Sequence, residues 1–192
     1  MSKRGKILLA AVLLLWLAVA CLLFFGAARL PVVQPEAAAE AYTYVSQDDY
    51  EVAIAPGWQV SVDEPGHLLL IDPAAAATIE LTLEVGGYDF YSPADLAGLL
   101  QQRLAESFDA VECGELKEGG SSYNGVSFAA ILTEGKQSRM AQCSVLRVLE
   151  SVRIYAVFAF PDDVADDTLR AGLQTIGSVR VFDAEALYAK YL

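Results

Sequence analysis

One histidine and three cysteines in 192 residues leave little material for metal or redox chemistry, and bases are scarce too, with 13 Lys/Arg against 25 Asp/Glu. A formal net charge of −12 excludes the run of Lys/Arg–phosphate contacts on which nucleic-acid binders depend. The chain contains no Cys-x-x-Cys, no His-Glu-x-x-His, no Gly-x-Ser-x-Gly elbow and no phosphate-binding loop. His67 follows the turn residues Pro65-Gly66, where an exposed imidazole without a task is expected, and any Ser–His–acid triad would have to use it. The stretch Gly119-Gly120-Ser121-Ser122 reads as a flexible turn. Covalent, zinc and redox catalysis are therefore poorly supported. Disorder is excluded from the opposite side, because 55% hydrophobic residues can fill a core.

Hydrophobicity is concentrated at one end. Residues Ile7 to Ala28 form 22 consecutive positions without a charged or strongly polar side chain, and 13 of them are Leu, Ile, Val or Phe. As a helix rising about 1.5 Å per residue they would span roughly 33 Å, enough for a hydrocarbon core about 30 Å thick, and their insertion is favoured by roughly 4–8 kcal/mol. Lys3, Arg4 and Lys6 precede the run and Arg29 alone follows it, so the positive-inside bias keeps residues 1–6 as a cytoplasmic stub and sends the remainder outside. The expectation is an uncleaved transmembrane anchor in the cell membrane. Two alternatives remain open: a cleaved signal segment ending at Gly26-Ala27-Ala28 or Ala37-Ala38-Ala39, and a lipoprotein with Cys21 acylated after Ala18-Val19-Ala20. All three place the same domain outside the cytoplasm.

Divided at that boundary, the charge separates into +4 over residues 1–30 and −16 over residues 31–192. Residues 29–41, with Pro31, Pro35 and an Ala/Glu stretch, form a linker. From Tyr42 onward strands predominate. Segments are expected at Tyr50–Ile54, Trp58–Val62, Leu68–Ile71, Thr78–Val85, Val111–Leu116, Val126–Thr133, Arg139–Leu149, Val152–Phe160 and Ser178–Phe182. In Thr78–Val85 the residues Ile79, Leu81, Leu83 and Val85 face one way and Thr78, Glu80, Thr82 and Glu84 the other. Ser92-Pro93-Ala94-Asp95 opens a helix with Ser as the cap, followed by the apolar stripe Leu96, Leu99, Leu100 and Leu104. A second helix is expected from Asp162-Asp163, burying Ala165, Leu169, Leu173 and Ile176, and a short third one over residues 183–192.

This order of elements predicts an α+β fold, an antiparallel sheet flanked by helices, behind the N-terminal transmembrane helix. The block Tyr50 to Val60, with Pro56-Gly57-Trp58 between two strands, resembles the opening of PsbP-like domains. Ser92-Pro93-Ala94-Asp95-Leu96 is similar to the start of their middle helix, Tyr123-Asn124-Gly125-Val126 to their Asn-Gly turn, and Ile154–Val157 through Ile176–Val179 to their closing strand, helix and strand. This PsbP-like and Mog-type superfamily includes extrinsic photosystem II subunits and anchored bacterial proteins of unknown role. The resemblance covers about residues 45–182 and implies an α/β/α sandwich over 42–182 and an accessory role. It transfers no metal or partner-contact residue.

Three groups of side chains are candidates for function. Asp162, Asp163, Asp166 and Asp167 could hold a hard cation such as calcium if their two pairs share a helix face, or could simply complement the helix dipole. Cys113 and Cys143, the two cysteines of the exported part, would enclose a 31-residue loop if bridged, worth roughly 3–4 kcal/mol; unbridged, they pack as small hydrophobes. Tyr88, Phe90 and Tyr91, with Tyr42, Tyr44 and Tyr50, are candidates for a recognition surface. The functional expectation is a membrane-anchored binding or accessory module with no catalytic activity and no cofactor, meeting a protein partner or small ligand at the cell surface. An extracellular carboxylate-dependent hydrolase of the glycosidase type is the alternative, because a working carboxylate pair cannot be picked out among 25 acids by sequence. An assembly factor for a membrane complex shares the chemistry of the first reading and differs in partner.

Overall fold

The computed structural model describes residues 43–46, 50–86, 91–118, 125–149 and 152–191, with backbone only for 43–46, 149, 184, 188 and 191. The chain divides into two units, Met1–Ala39 and Glu40–Leu192, and all described residues belong to the second. The expected anchor, Cys21, the linker, Tyr42, Tyr88, Phe90 and residues 119–124 lie outside them. Among the described residues no helix is long and apolar enough to cross a membrane.

The strands are β1 (Thr43–Ser46), β2 (Tyr50–Ile54), β3 (Gln59–Glu64), β4 (His67–Asp72), β5 (Ala77–Val85), β6 (Ala110–Cys113), β7 (Lys117–Glu118), β8 (Val126–Glu134), β9 (Gln137–Leu149), β10 (Val152–Phe160) and β11 (Arg180–Val181). The helices are α1 (Pro93–Ser107), α2 (Asp166–Gly177) and α3 (Ala184–Tyr191). The main sheet has eight strands in the order β3-β4-β5-β10-β9-β8-β6, with β7 also on β8, and a smaller sheet runs β1-β2-β11. Among the described residues every pairing is antiparallel.

Period-two alternation assigns the sheet two cores. On one face Ala77, Ile79 and Leu81 of β5 join Ile154, Ala156 and Phe158 of β10, covered by Tyr50, Val52 and Ile54 of β2 and by Ile176 of α2. On the other face Phe128, Ala130 and Leu132 of β8, Cys143 and Val145 of β9, and Tyr155 and Ala159 of β10 pack under Leu96, Ala97, Leu100 and Leu104 of α1. Strand β10 serves both, which is why Val152–Phe160 reads as an almost unbroken apolar run.

The local chemistry accounts for the elements. Ser92 caps α1 in a capping box: Asp95 N donates to Ser92 Oγ at 3.2 Å and Ser92 N donates to Asp95 Oδ2 at 2.9 Å. At Ala55-Pro56-Gly57-Trp58 the chain turns, with Trp58 N donating to Ala55 O at 3.2 Å and Gly57 at φ +88°, a conformation that favours glycine. The turn delivers the Trp58 ring edge-on to Phe158, 5.9 Å between centroids.

The second helix differs from expectation. It starts at Asp166, because Asp162 and Asp163 are spent in a turn closed by Val164 N donating to Pro161 O at 3.2 Å. Its buried face is Gly172, Thr175 and Ile176, with Leu169 partly buried on the same core, while Leu173 is half exposed and Ala165 is exposed at the N-cap. Gly172 sits on the Phe158 ring with no room for a Cβ, so the smallest residue sets how closely helix and sheet approach. At the C-terminal end of α2, Ser178 Oγ donates to Thr175 O at 2.7 Å and accepts from Ala53 N at 2.9 Å, tying helix to β2.

Candidate functional site

Helix α1 covers β8, β9 and the near side of β10. At the boundary a cleft of about 490 Å³ opens between α1 and the β5–β10 pair. Its apolar floor is Leu100, Leu104, Phe108 and Val157; Glu80 and Thr82 stand on the β5 side, and Arg103 and Glu106 on the helix side. A second cavity of about 210 Å³ lies alongside, and Arg103, Glu106 and Tyr155 line both.

The polar cluster of the second cavity is built by strand register. Glu84 and Arg153 are direct partners across β5 and β10, and Tyr155 follows two positions on, on the same face. Arg153 Nε donates to Glu84 Oε2 at 2.9 Å, and Arg103 Nη2 reaches from α1 to donate to Glu84 Oε1 at 2.6 Å. Arg153 is 3% exposed whereas the Arg103 side chain is 43% exposed, so one guanidinium is structural and the other faces solvent. The Arg103 guanidinium lies 4.5 Å from the centre of the Tyr155 ring, and that of Arg153 lies 5.7 Å from it.

Burial pushes the Glu84 carboxyl up, but hydrogen bonding from Arg153 and Tyr155 and the charges of Arg153 and Arg103 outweigh it, and its pKa falls below the ordinary 4.5. Tyr155 moves the other way: burial first, then the neighbouring Glu84, push its hydroxyl up to about 12. That hydroxyl is buried beside Glu84. The cluster thus combines an ionised acid, two cations and a neutral phenol.

His67 is not idle. It opens β4 opposite Thr82, and its Nε2 lies 2.9 Å from Glu80 Oε1 at the outer margin of the cleft.

The other candidates fall elsewhere. Asp166 and Asp167 begin α2 while Asp162 and Asp163 precede it, so the two pairs do not share a helix face; Asp167 accepts from Arg170 Nη1 at 3.2 Å. Among the described residues no group of three or more His, Cys, Asp or Glu side chains is arranged to hold a metal ion. Cys113 and Cys143 are both free, Cys113 exposed and Cys143 buried. Their strands β6 and β9 pair with opposite edges of β8, about 10 Å apart at ordinary strand spacing, beyond the roughly 7 Å limit for a bridge. Burial, and next the proximity of Cys113, push the Cys143 thiol up to about 12. Tyr91 packs against the α1 core with its ring 6.0 Å from the Arg153 guanidinium, and Tyr50 is fully buried rather than available for recognition.

Sequence reasoning missed Glu84, Arg103, Arg153 and Tyr155 as a site. A signal was present: Arg153 is a charge inside the apolar strand Val152–Phe160, and a charge there must have a partner. That partner lies 69 residues away, which pattern alone does not disclose.

No protein-family model matches the chain, and no curated protein matches it. Among solved structures, the chain is similar to cyanobacterial PsbP (CyanoP) from Synechocystis sp. PCC 6803, with a TM-score of 0.58 and 13% identity over 77% of this chain and 96% of that one. LpqN of Mycobacterium tuberculosis, described as involved in cell envelope biogenesis, aligns at a TM-score of 0.48 with 12% identity over 74% of this chain and 91% of that one. A Pseudomonas aeruginosa protein of unknown function, PA94, aligns at 0.42 with 12% identity over 70% and 94%. The last two superpose too loosely to bear on the argument, and identity this low speaks to fold alone. With CyanoP covered almost end to end by a mostly antiparallel sheet and its helices, the described domain has a PsbP-like fold.

Proposed function

We propose that the chain is a binding or accessory module without catalytic activity of its own, held outside the cytoplasmic membrane by residues 7–28, and that the cleft beside α1 meets its partner. The observation that carries this reading is the cleft itself: an open, apolar-floored recess beside α1 with a charged cluster in the adjoining cavity. The cluster's own acid supports binding rather than proton transfer, because two arginines hold Glu84 ionised and in place. A PsbP-like fold agrees with an accessory role, and a domain carrying −16 suits a partner whose contacting surface is cationic or neutral. In-cell photocross-linking of the full chain tests this, with the reactive residue at Glu106 in the cleft or at Lys136 in the β8–β9 turn. One discrete species captured from position 106 and absent from position 136 supports the cleft; identical capture from both, or none from 106, contradicts it.

The hydrolase reading has one specific observation in its favour, since Glu80 and Glu106 bring two carboxyl groups to facing walls of the same cleft. It requires turnover of glycoside substrates that is abolished by both Glu80→Gln and Glu106→Gln.

A further inference from the structure

We propose that the cleft takes a small ligand bearing one primary ammonium group on an apolar body, with Glu80 and Glu106 sharing the ammonium between the two walls. The inference rests on the binding reading above and specifies the chemistry of the same site.

The charge of the lining sets the sign of the ligand. The described residues around the cleft and the cavity beside it carry three carboxylates, Glu80, Glu84 and Glu106, against Arg103 and Arg153. Glu84 is taken: Arg153 and Arg103 hold its two oxygens at 2.9 and 2.6 Å, and the Arg103 guanidinium rests over the Tyr155 ring. That leaves Glu80 and Glu106 on facing walls, with neither an arginine nor a lysine among the described residues paired to them. A domain carrying −16 adds its field in the same sense, so a cation is drawn to the recess and an anion is kept away.

The free acceptors set the shape of the cation. Glu80 Oε1 lies 2.9 Å from His67 Nε2, and Glu106 Oε1 accepts from Gln102 Nε2 at 3.2 Å. The second oxygen of each carboxylate has no partner among the described residues, so each wall presents one free acceptor. A guanidinium fork needs both oxygens of one carboxylate, whereas a primary ammonium is a compact charge with three separate donors and needs one oxygen from each wall. The third donor also finds an acceptor. Ser107 lines the cleft, donates its own hydroxyl proton to Arg103 O at 3.1 Å and keeps a lone pair for the ligand.

The floor limits what accompanies the ammonium. Leu100, Leu104, Phe108 and Val157 offer apolar surface beneath the walls, and about 490 Å³ falls within the range of small-molecule sites. Both glutamates are exposed, the Glu80 side chain at 50%, so water competes for the ammonium and the floor has to supply much of the affinity. An amine on an aryl or short alkyl body meets both requirements; a bare ammonium ion meets only one.

The test uses the full chain in neutral detergent micelles, with 2-(4-fluorophenyl)ethylamine as the probe, its binding followed by fluorine NMR against empty micelles. The amine is expected to bind about ten-fold more tightly than 2-(4-fluorophenyl)ethanol, which keeps the body and loses the charge, and more tightly than the guanidine built on the same body. Glu80→Gln and Glu106→Gln should each weaken the amine about three-fold and together about ten-fold, while the alcohol keeps its affinity in all three proteins. Asp162→Asn with Asp163→Asn removes the same charge from the turn before α2 and should leave the amine unaffected, which separates a site from attraction by the net charge of the domain. No binding of the amine above the micelle blank, equal binding of amine and alcohol, equal losses from the aspartate and glutamate pairs, or tighter binding of the guanidine would each overturn the proposal. Capture from position 106 in cells is read separately: a discrete species captured there while amines fail to bind removes this proposal and leaves the binding reading standing, whereas failure of both removes the cleft.

Discussion

Arg153 lies directly opposite Glu84 in the β5–β10 register, and its Nε donates to Glu84 Oε2 at 2.9 Å from a position only 3% exposed. A buried guanidinium tolerates that position only while its counter-ion stays. Glu84→Gln should therefore destabilise the domain by about 3 kcal/mol, because it strands a charge rather than merely deleting an ion pair. Arg153→Met combined with Glu84→Gln should recover most of the loss. Urea denaturation of the three proteins measures both steps.

Arg103 contrasts with Arg153 although both bind the same carboxylate. Arg103 is largely solvated, so Arg103→Ala should cost under about 1 kcal/mol, its contact with the Tyr155 ring included. Thermal unfolding of the Arg103→Ala protein measures that cost.

Protonation should limit stability at both ends of the pH scale. Glu84 titrates below its ordinary 4.5, so its contribution is complete above that value and declines as pH falls through its lower native pKa. Tyr155, raised from 10.0 to about 12, and Cys143, raised from 9.0 to about 12, act in the opposite sense. Their contributions are complete below pH 9 and are lost as pH rises toward 12, since the unfolded chain ionises first. Denaturation midpoints recorded across pH should show the acid limb flattened in Glu84→Gln and the alkaline limb flattened in Tyr155→Phe with Cys143→Ala.

Gly172→Ala should destabilise the domain by about 1–3 kcal/mol even though alanine favours helix by about 1 kcal/mol. The added methyl group would collide with the Phe158 ring, which is itself held by Trp58 and Phe160. Thermal unfolding decides the sign.

Much of this fold was legible because its signals are local. The alternation from Thr78 to Val85 and the Ser92-to-Asp95 capping box each depend on neighbours within a few residues, and both appear where expected. The start of α2 misled because four aspartates look alike at a helix entrance, and a turn at Pro161–Val164 consumes the first two. Leu173 was placed inside because periodicity alone does not show that the helix approaches the sheet through Gly172. The cleft was the least legible part. It depends on which strand pairs with β5, on α1 ending its coverage at β10, and on a register that sets Arg153 against Glu84.

Thiol reactivity reports on burial and on location together. In a Cys21→Ala background the folded chain should take up one equivalent of maleimide at Cys113, and a second at Cys143 only after unfolding, with no mass loss from a disulfide under oxidising conditions. If the domain lies outside the cytoplasmic membrane, a membrane-impermeant maleimide added to intact cells should label Cys113. Labelling that appears only after lysis would refute that location.

The central claim is that the recess beside α1 is where the protein engages what it binds. Thr82→Trp places an indole on the cleft wall at a half-buried position, filling the recess without entering either core. The direct measurement is the yield of the species cross-linked from position 106 in cells, with and without Thr82→Trp, at matched expression and thermal stability. The account predicts that the obstructed protein loses that species while remaining folded; undiminished capture would contradict it.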